Sequence, residues 1–180
     1  MSLNPANKDL VSKCQQGDRR AQFALYQQYS KAMFNICLRM MGGRDQAEDV
    51  LQISFVDVFK NLDSYRFEAS LGSWIKRIVV NNCITAIKRK KMYFDSIDDE
   101  HMQIADFQTE QESTVHMSVE KIKQAMTLLP DGYRTVFSLY LFEGYDHQEI
   151  GEILSVSEAT SKSQFSRAKK KMRAILANID

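Results

Sequence analysis

The chain has 180 residues, of which 44% are hydrophobic and 26% charged, and a formal net charge of +1. That length admits one ordinary domain or two small ones with a packed core, and no segment reaches the roughly 18 to 20 uninterrupted apolar residues of a membrane span. The opening MSLNPANKDL lacks the layout of a secretion signal. Cys14, Cys37 and Cys83 have no CxxC spacing, so neither a disulfide framework nor a zinc site is indicated, and a reducing, cytoplasmic setting is expected.

Only Pro5 and Pro130 interrupt the backbone, so long helices face little opposition. The pattern predicts a short helix over 7–16 that ends at Gly17. A second follows with Phe23, Tyr26, Met33, Phe34, Cys37, Leu38 and Met41 at helical spacing and stops at Gly42-Gly43. The next, over 45–62, turns Ala47, Val50, Leu51, Phe55, Val58 and Phe59 inward. The stretch DSYRFEAS is a loop, and Ser70 or Ser73 is placed to cap a helix over about 70–91.

Residues 93–117 lose both apolar density and period and read as a flexible linker. Helical pattern resumes over 119–129, stops at Pro130-Asp131-Gly132 and continues over 133–142. Asp146 and Glu149 have the spacing of a capping box that opens one more helix, and a last helix runs from about Glu158. The expected fold is all-α: two small helical domains on a flexible acidic linker.

The near-zero net charge hides a segregated distribution. Every charge from 69 to 91 is positive, every one from 95 to 112 negative, and every one from 162 to 173 positive again. In the helix over 70–91, Leu71, Trp74, Ile75, Ile78, Val79 and Asn82 share a mostly apolar face. Arg77, Asn81 and Lys88 form an adjacent stripe bordered by Thr85 and Trp74. Aromatic faces to stack on, cations for phosphate and amides for base edges are what single-stranded DNA requires. Lys88, Arg89, Lys90 and Lys91 extend the field at the expected helix end, where they also suit the macrodipole. A core tryptophan beside an ordinary solvated face remains an equal reading of this helix alone.

The C-terminal pair tips the balance towards nucleic acid. Ile150, Ile153 and Leu154 line the inside of one helix, Ser155-Val156-Ser157 make a tight turn, and Phe165, Ala168, Met172 and Leu176 face inward on the next. Thr160, Ser163 and Arg167 lie on the far side, flanked by Gln164, Lys170 and Lys171. That is the layout of a helix-turn-helix, whose second helix enters the major groove. Gln and Arg can make bidentate contacts with adenine and guanine, while lysines supply salt-dependent phosphate binding.

With both halves read, the chain resembles the bacterial RNA polymerase sigma factors of the extracytoplasmic-function (ECF) type. The resemblance rests on DQAEDVLQISF, SWIKRIVVNN and the stretch from LLPDGY to AKKKMR, in the family's order and separation. It implies that Asp45, Glu48, Asp49, Gln52 and Phe55 dock on core RNA polymerase. The first four follow i, i+3, i+4, i+7 spacing and share a stripe. It implies that Trp74, Arg77, Asn81, Thr85 and Lys88, with the loop over 64–69, bind and help open the −10 element. The −35 element would fall to Thr160, Lys162, Ser163, Gln164 and Arg167, with Lys170 and Lys171 on phosphate. The implied domains are 1–92 and 118–180. The linker 93–117, threaded into the polymerase, reaches about 80 Å when extended. An anti-sigma protein is a further implied partner. Ser155 and Ala159 replace glycines common at the turn, and Ser161 an apolar residue. These three suggest a looser recognition helix, while Gln164 in place of arginine leaves the −35 sequence open.

The alternative is a helix-turn-helix operator-binding regulator that never joins the polymerase; it would need neither the acidic stripe nor the Trp74 helix. An enzyme is not expected, and no cofactor or metal is implied. His101, His116 and His147 are scattered and read as surface or capping residues, and HQEIGE lacks the second histidine of an HExxH site.

Overall fold

The structure, a computed structural model, describes residues 5–95 and 119–179, and among these every regular element is helical. Helix α1 (Pro5–Gln15) leads to α2 (Arg19–Met41), whose start is fixed by Asp18. Its carboxylate accepts from Arg20 N–H at 2.8 Å and Ala21 N–H at 3.2 Å. Gly42, at φ +76°, ends α2 in the left-handed conformation that glycine adopts without a Cβ penalty, and Gly43 starts α3 (Arg44–Lys60) from extended backbone. A 3₁₀ turn (Leu62–Ser64) and a loop lead to α4 (Leu71–Asp95), capped by Ser70, whose hydroxyl accepts from Ser73 N–H at 3.2 Å. The C-terminal half contains α5 (Val119–Thr127), α6 (Asp131–Leu141), α7 (His147–Leu154) and α8 (Glu158–Leu176).

Helices α2, α3 and α4 pack against one another, with α1 lying on α2 and the 3₁₀ turn; α8 is the spine on which α5, α6 and α7 rest. The first core holds Leu25, Met40, Val58, Leu71, Ile75 and Val79. A smaller one gathers Ala125, Met126, Leu129, Phe137, Ala168 and Met172. Both helical faces were legible as expected, with three differences. Phe23 is 60% exposed, because α2 turns Ala21 and Leu25 inward at that end instead. Val80, Cys83 and Ile84 are buried alongside the expected face of α4, because α2 and α3 enclose it over a wide arc. And α4 runs to Asp95, so residues 93–95 extend the helix rather than open the linker, and the basic cluster from Lys88 lies more than a turn short of the helix end. Its complementarity to the macrodipole is correspondingly weak. The rest of the expected linker, with His101 and His116, lies outside the described residues.

The two halves are packed together. Val136, Leu139 and Ile150 belong to the same buried cluster as the cores of α2 and α4. Arg134, 4% exposed, drives its guanidinium into the C-terminus of α2. Its Nε donates to Met40 O at 3.1 Å and Nη2 to Met41 O at 3.1 Å, while Nη1 donates to Leu129 O at 2.8 Å just beyond α5. Asp131 pairs with the same Nη2. A buried cation is tolerable here because carbonyls left open at two helix ends, and one carboxylate, absorb its donors. A Cβ on Gly42 would lie 2.8 Å from Arg134 Cζ, so the turn needs glycine for space as well as for its backbone angle. Beside it, Glu143, with a side chain 4% exposed, accepts from Arg39 Nη2 at 2.6 Å, and its carbonyl accepts from Lys76 Nζ at 2.9 Å. The guanidinium of Arg39 lies over the Phe142 ring at 5.2 Å and the Lys76 ammonium over Tyr145 at 5.3 Å. Lys90 and Asp131 add a bridge at 3.3 Å.

Candidate polymerase and nucleic-acid interfaces

On α3, Asp45, Asp49 and Gln52 are exposed and Glu48 partly so, on the face turned away from the core. Arg44 Nε reaches Glu48 at 2.8 Å, so one carboxylate of the stripe is already engaged. Phe55 follows its expected inward period and not the docking role that the resemblance implies. It is 3% exposed, edge-on to Tyr26 at 4.7 Å, and so supports the stripe from beneath instead of lying on it. The exposed apolar neighbours of the stripe are Ile53 and Val56; an inward phenylalanine satisfies the same helical period that buries Leu51 and Val58.

On α4, Arg77, Asn81, Thr85 and Lys88 are all exposed, and the Thr85 hydroxyl donates to the backbone carbonyl of Asn81 at 2.9 Å. Trp74 at the border is partly buried, its ring 5.3 Å from that of Tyr65. Tyr65 in turn meets Phe67 at 4.6 Å and donates its hydroxyl to Ala69 O at 2.7 Å, which ties the loop over 64–69 to the start of α4. Phe67 sits at φ +60°, a costly conformation for an aromatic residue. The strip is thus a polar and cationic row ending in an aromatic cluster of Trp74, Tyr65 and Phe67. The two loop aromatics were not singled out from sequence, since a loop gives no period by which to place them. Asn82, one residue round from Asn81, is structural, donating to Asp57 Oδ2 at 2.9 Å.

In the C-terminal half the expected helix-turn-helix is present. Asp146 and Glu149 form the capping box of α7, and Ser157 caps α8 by accepting from Thr160 N–H at 3.0 Å. Between them Ser155 takes the left-handed conformation at φ +59°, ψ +44°, and a Cβ on Gly151 would come within 2.8 Å of Val156 O, so the close turn depends on that glycine. Lys162, Ser163, Arg167, Lys170 and Lys171 are exposed on α8, whereas Thr160 and Gln164 are partly covered. Thr160 shares the cap, its hydroxyl 2.7 Å from that of Ser157, and Lys162 pairs with Glu158 at 2.6 Å. That bond and charge hold the lysine's proton more tightly than usual.

Two expectations need correction. Ser161 does not leave a loose seat for α8: it is fully buried, and its hydroxyl lies 2.9 Å from His147 Nδ1. His147 is accordingly no mere surface or capping residue. Its ring stacks on Tyr140 at 4.5 Å and 13°, with Phe165 5.6 Å away.

Among the described residues no group of histidines, cysteines and carboxylates could hold a metal ion, and no helix is long and apolar enough to cross a membrane.

Comparison with known proteins gives a consistent assignment. Residues 25–92 match the family described as Sigma-70 region 2, and residues 119–172 that described as Sigma-70, region 4. The chain is 28% identical to the ECF RNA polymerase sigma factor SigW of Bacillus subtilis, over 96% of this chain and 97% of that protein. It is likewise 28% identical to the ECF RNA polymerase sigma-E factor of Haemophilus influenzae, over 94% of each. Among solved structures it is similar in fold to the sigma factor RpoE of Bartonella quintana in complex with the anti-sigma factor NepR. There the TM-score is 0.57 at 18% identity, over 87% of this chain and 97% of that one. A second fold likeness is CnrH in complex with the cytosolic domain of CnrY, with TM-score 0.52 and 20% identity over 97% and 99%. With the two region matches in sequence order and together covering more than half of the residues, the chain belongs to the sigma-70 family, among its members of the ECF type.

Proposed function

We propose that this protein joins core RNA polymerase and directs it to promoters, acting on two DNA elements through two helical domains, residues 1–92 and 118–180, with the chain beyond α4 as the strap between them. The N-terminal domain docks on the polymerase through Asp45, Glu48, Asp49 and Gln52. An acidic stripe on one helix face suits a basic partner and steers its approach. The α4 strip meets the −10 element. Arg77 and Lys88 take phosphates, Asn81 takes a base edge, and Trp74 offers a surface that replaces the stacking an opened base has lost. Strand opening then draws on binding free energy and needs no catalytic group. The C-terminal domain reads the −35 element, with Gln164 and Arg167 placed for base edges and Lys162, Lys170 and Lys171 for phosphates.

One observation carries this reading: an acidic docking stripe and a cationic, amide-bearing strip stand exposed on adjacent helices of one half, and a helix-turn-helix with a basic outer helix forms the other. An operator-binding regulator would use only the last of these. Work inside the cytoplasm and restraint by an anti-sigma protein, as NepR partners RpoE, belong to the same proposal. Run-off transcription with purified sigma-free core polymerase on a genomic library tests it. Promoter-directed RNA that shares two spaced elements is the expected result; no directed RNA under any salt or temperature overturns it.

A further inference from the structure

The stack of Tyr140, His147 and Phe165 joins three helices. Tyr140 comes from α6, His147 is the first residue of α7, and Phe165 lies on α8, its ring 4.6 Å from that of Tyr140. Beneath it Ser161 of α8, fully buried, meets His147 Nδ1 at 2.9 Å. Aromatic packing fixes distance between elements but tolerates sliding, whereas a hydrogen bond between two short side chains also fixes direction. At 100° per residue, Ser161 sits one step from Thr160 and three from Gln164, so a bond at Ser161 sets which side chains α8 turns outward.

We infer that the His147–Ser161 bond is a specificity buckle: it holds α8 at the rotation that presents Gln164 and Arg167 to base edges, so both residues govern −35 discrimination without touching DNA. They are positioning residues, and the assignment rests on the reading of α8 as the −35 helix. Bidentate base contacts demand alignment, while lysine–phosphate contacts tolerate a shifted helix. Losing the buckle should therefore damage discrimination and leave general DNA affinity nearly intact. An apolar residue at position 161 would fill the same space with no such directional hold.

The test uses holoenzyme reconstituted with the parent, His147→Phe, Ser161→Ala, their double variant and His147→Asn. Phenylalanine keeps a ring on Tyr140 and removes both imidazole nitrogens, Nδ1 among them; asparagine returns a polar atom near the Nδ1 position. The readout is the ratio of affinities for promoter duplexes with the native and with a scrambled −35 element, together with affinity for core polymerase and the salt slope of binding. Expected is a fall of about tenfold in the ratio for each single variant, the size of one lost base contact. The double variant should fall no further than either single, and His147→Asn should recover most of the ratio. Polymerase affinity and salt slope should match the parent's. A parent-like ratio in His147→Phe, or losses that multiply in the double variant, overturns the buckle. If the parent holoenzyme itself shows no −35 preference, the reading of α8 fails instead, and the two failures are distinct.

Discussion

Ser155 ends α7 in the left-handed region, a conformation that costs an L-residue about 1–2 kcal/mol and glycine nothing extra. Replacing it by glycine removes the penalty but frees the unfolded chain, so Ser155→Gly is expected to stabilise by about 0.5–1 kcal/mol, read as a rise of a few degrees in the thermal midpoint; a lower midpoint would contradict the reading. The cysteines permit a second expectation. Cys37 and Cys83 are fully buried with their sulfurs 3.8 Å apart, and Cys14 is buried as well. The S–H···S hydrogen bond that Cys83 donates to Cys37, together with burial, pushes the Cys83 thiol far above its ordinary value. Its proton is thus retained in the fold and released from the unfolded chain above about pH 8.5. This thiol is neutral in both states below that pH and contributes nothing to pH dependence there. As pH rises past it, stability should decline. Alkylation of Cys37 and Cys83 at pH 8 should run at the rate of unfolding, and fast modification of the native protein would refute their burial. Sequence spacing excluded a metal site at these positions but gave no hint that two of them meet. Likewise nothing in the sequence joined His147 to Ser161, because a polar pair 14 residues apart on two helices leaves no periodic mark.

At the level of elements, α3 and α4 carry the surfaces that the proposed function assigns. Asp45→Lys with Asp49→Lys reverses the exposed acidic face and should weaken core-polymerase affinity at least roughly tenfold while flattening its salt dependence; equal affinity would reject the stripe. Removing Arg44 alone should change little, because its pair with Glu48 is solvent-exposed. On α4, Trp74→Ala and Asn81→Ala should reduce permanganate-reactive open complex by about tenfold or more, the weight of a stacked base, and leave polymerase binding unchanged. An undiminished footprint would remove those residues from melting. These elements were legible because their signals are local: the Gly42-Gly43 stop, the Ser157 cap, the Asp146–Glu149 box and the i, i+3, i+4 spacing each lie within a few residues. The wide burial of α4 was not, since how much of a helix is enclosed depends on neighbours remote in sequence. Ser161 misled for the opposite reason: a polar residue at a core position reads as a defect until its partner is known.

For the molecule as a whole, two domains and their order were readable from sequence, but their packing was not, because its contacts, apolar and polar alike, join residues from about forty to a hundred positions apart. Arg39 and Glu143 form a mostly buried ion pair between the halves. Taking away one partner of a buried ion pair costs about 3 kcal/mol or more while the other stays dry. Parting the halves would let water reach Glu143 and remove that cost, so the loss should appear as opening rather than unfolding. With dyes on Gln28→Cys and Asn178→Cys, both exposed positions, energy transfer should fall in Arg39→Ala with helix content preserved. Transfer equal to the parent's would show that the pair does not hold the halves. Arg134 bears on the same transition in another way. It spans the seam, yet its bonds to Leu129 and Asp131 stay within its own half, and only those to Met40 and Met41 cross to the other. A guanidinium that keeps these acceptors works as a press-stud: were the halves to part, it would strand no bare cation on its own side of the seam.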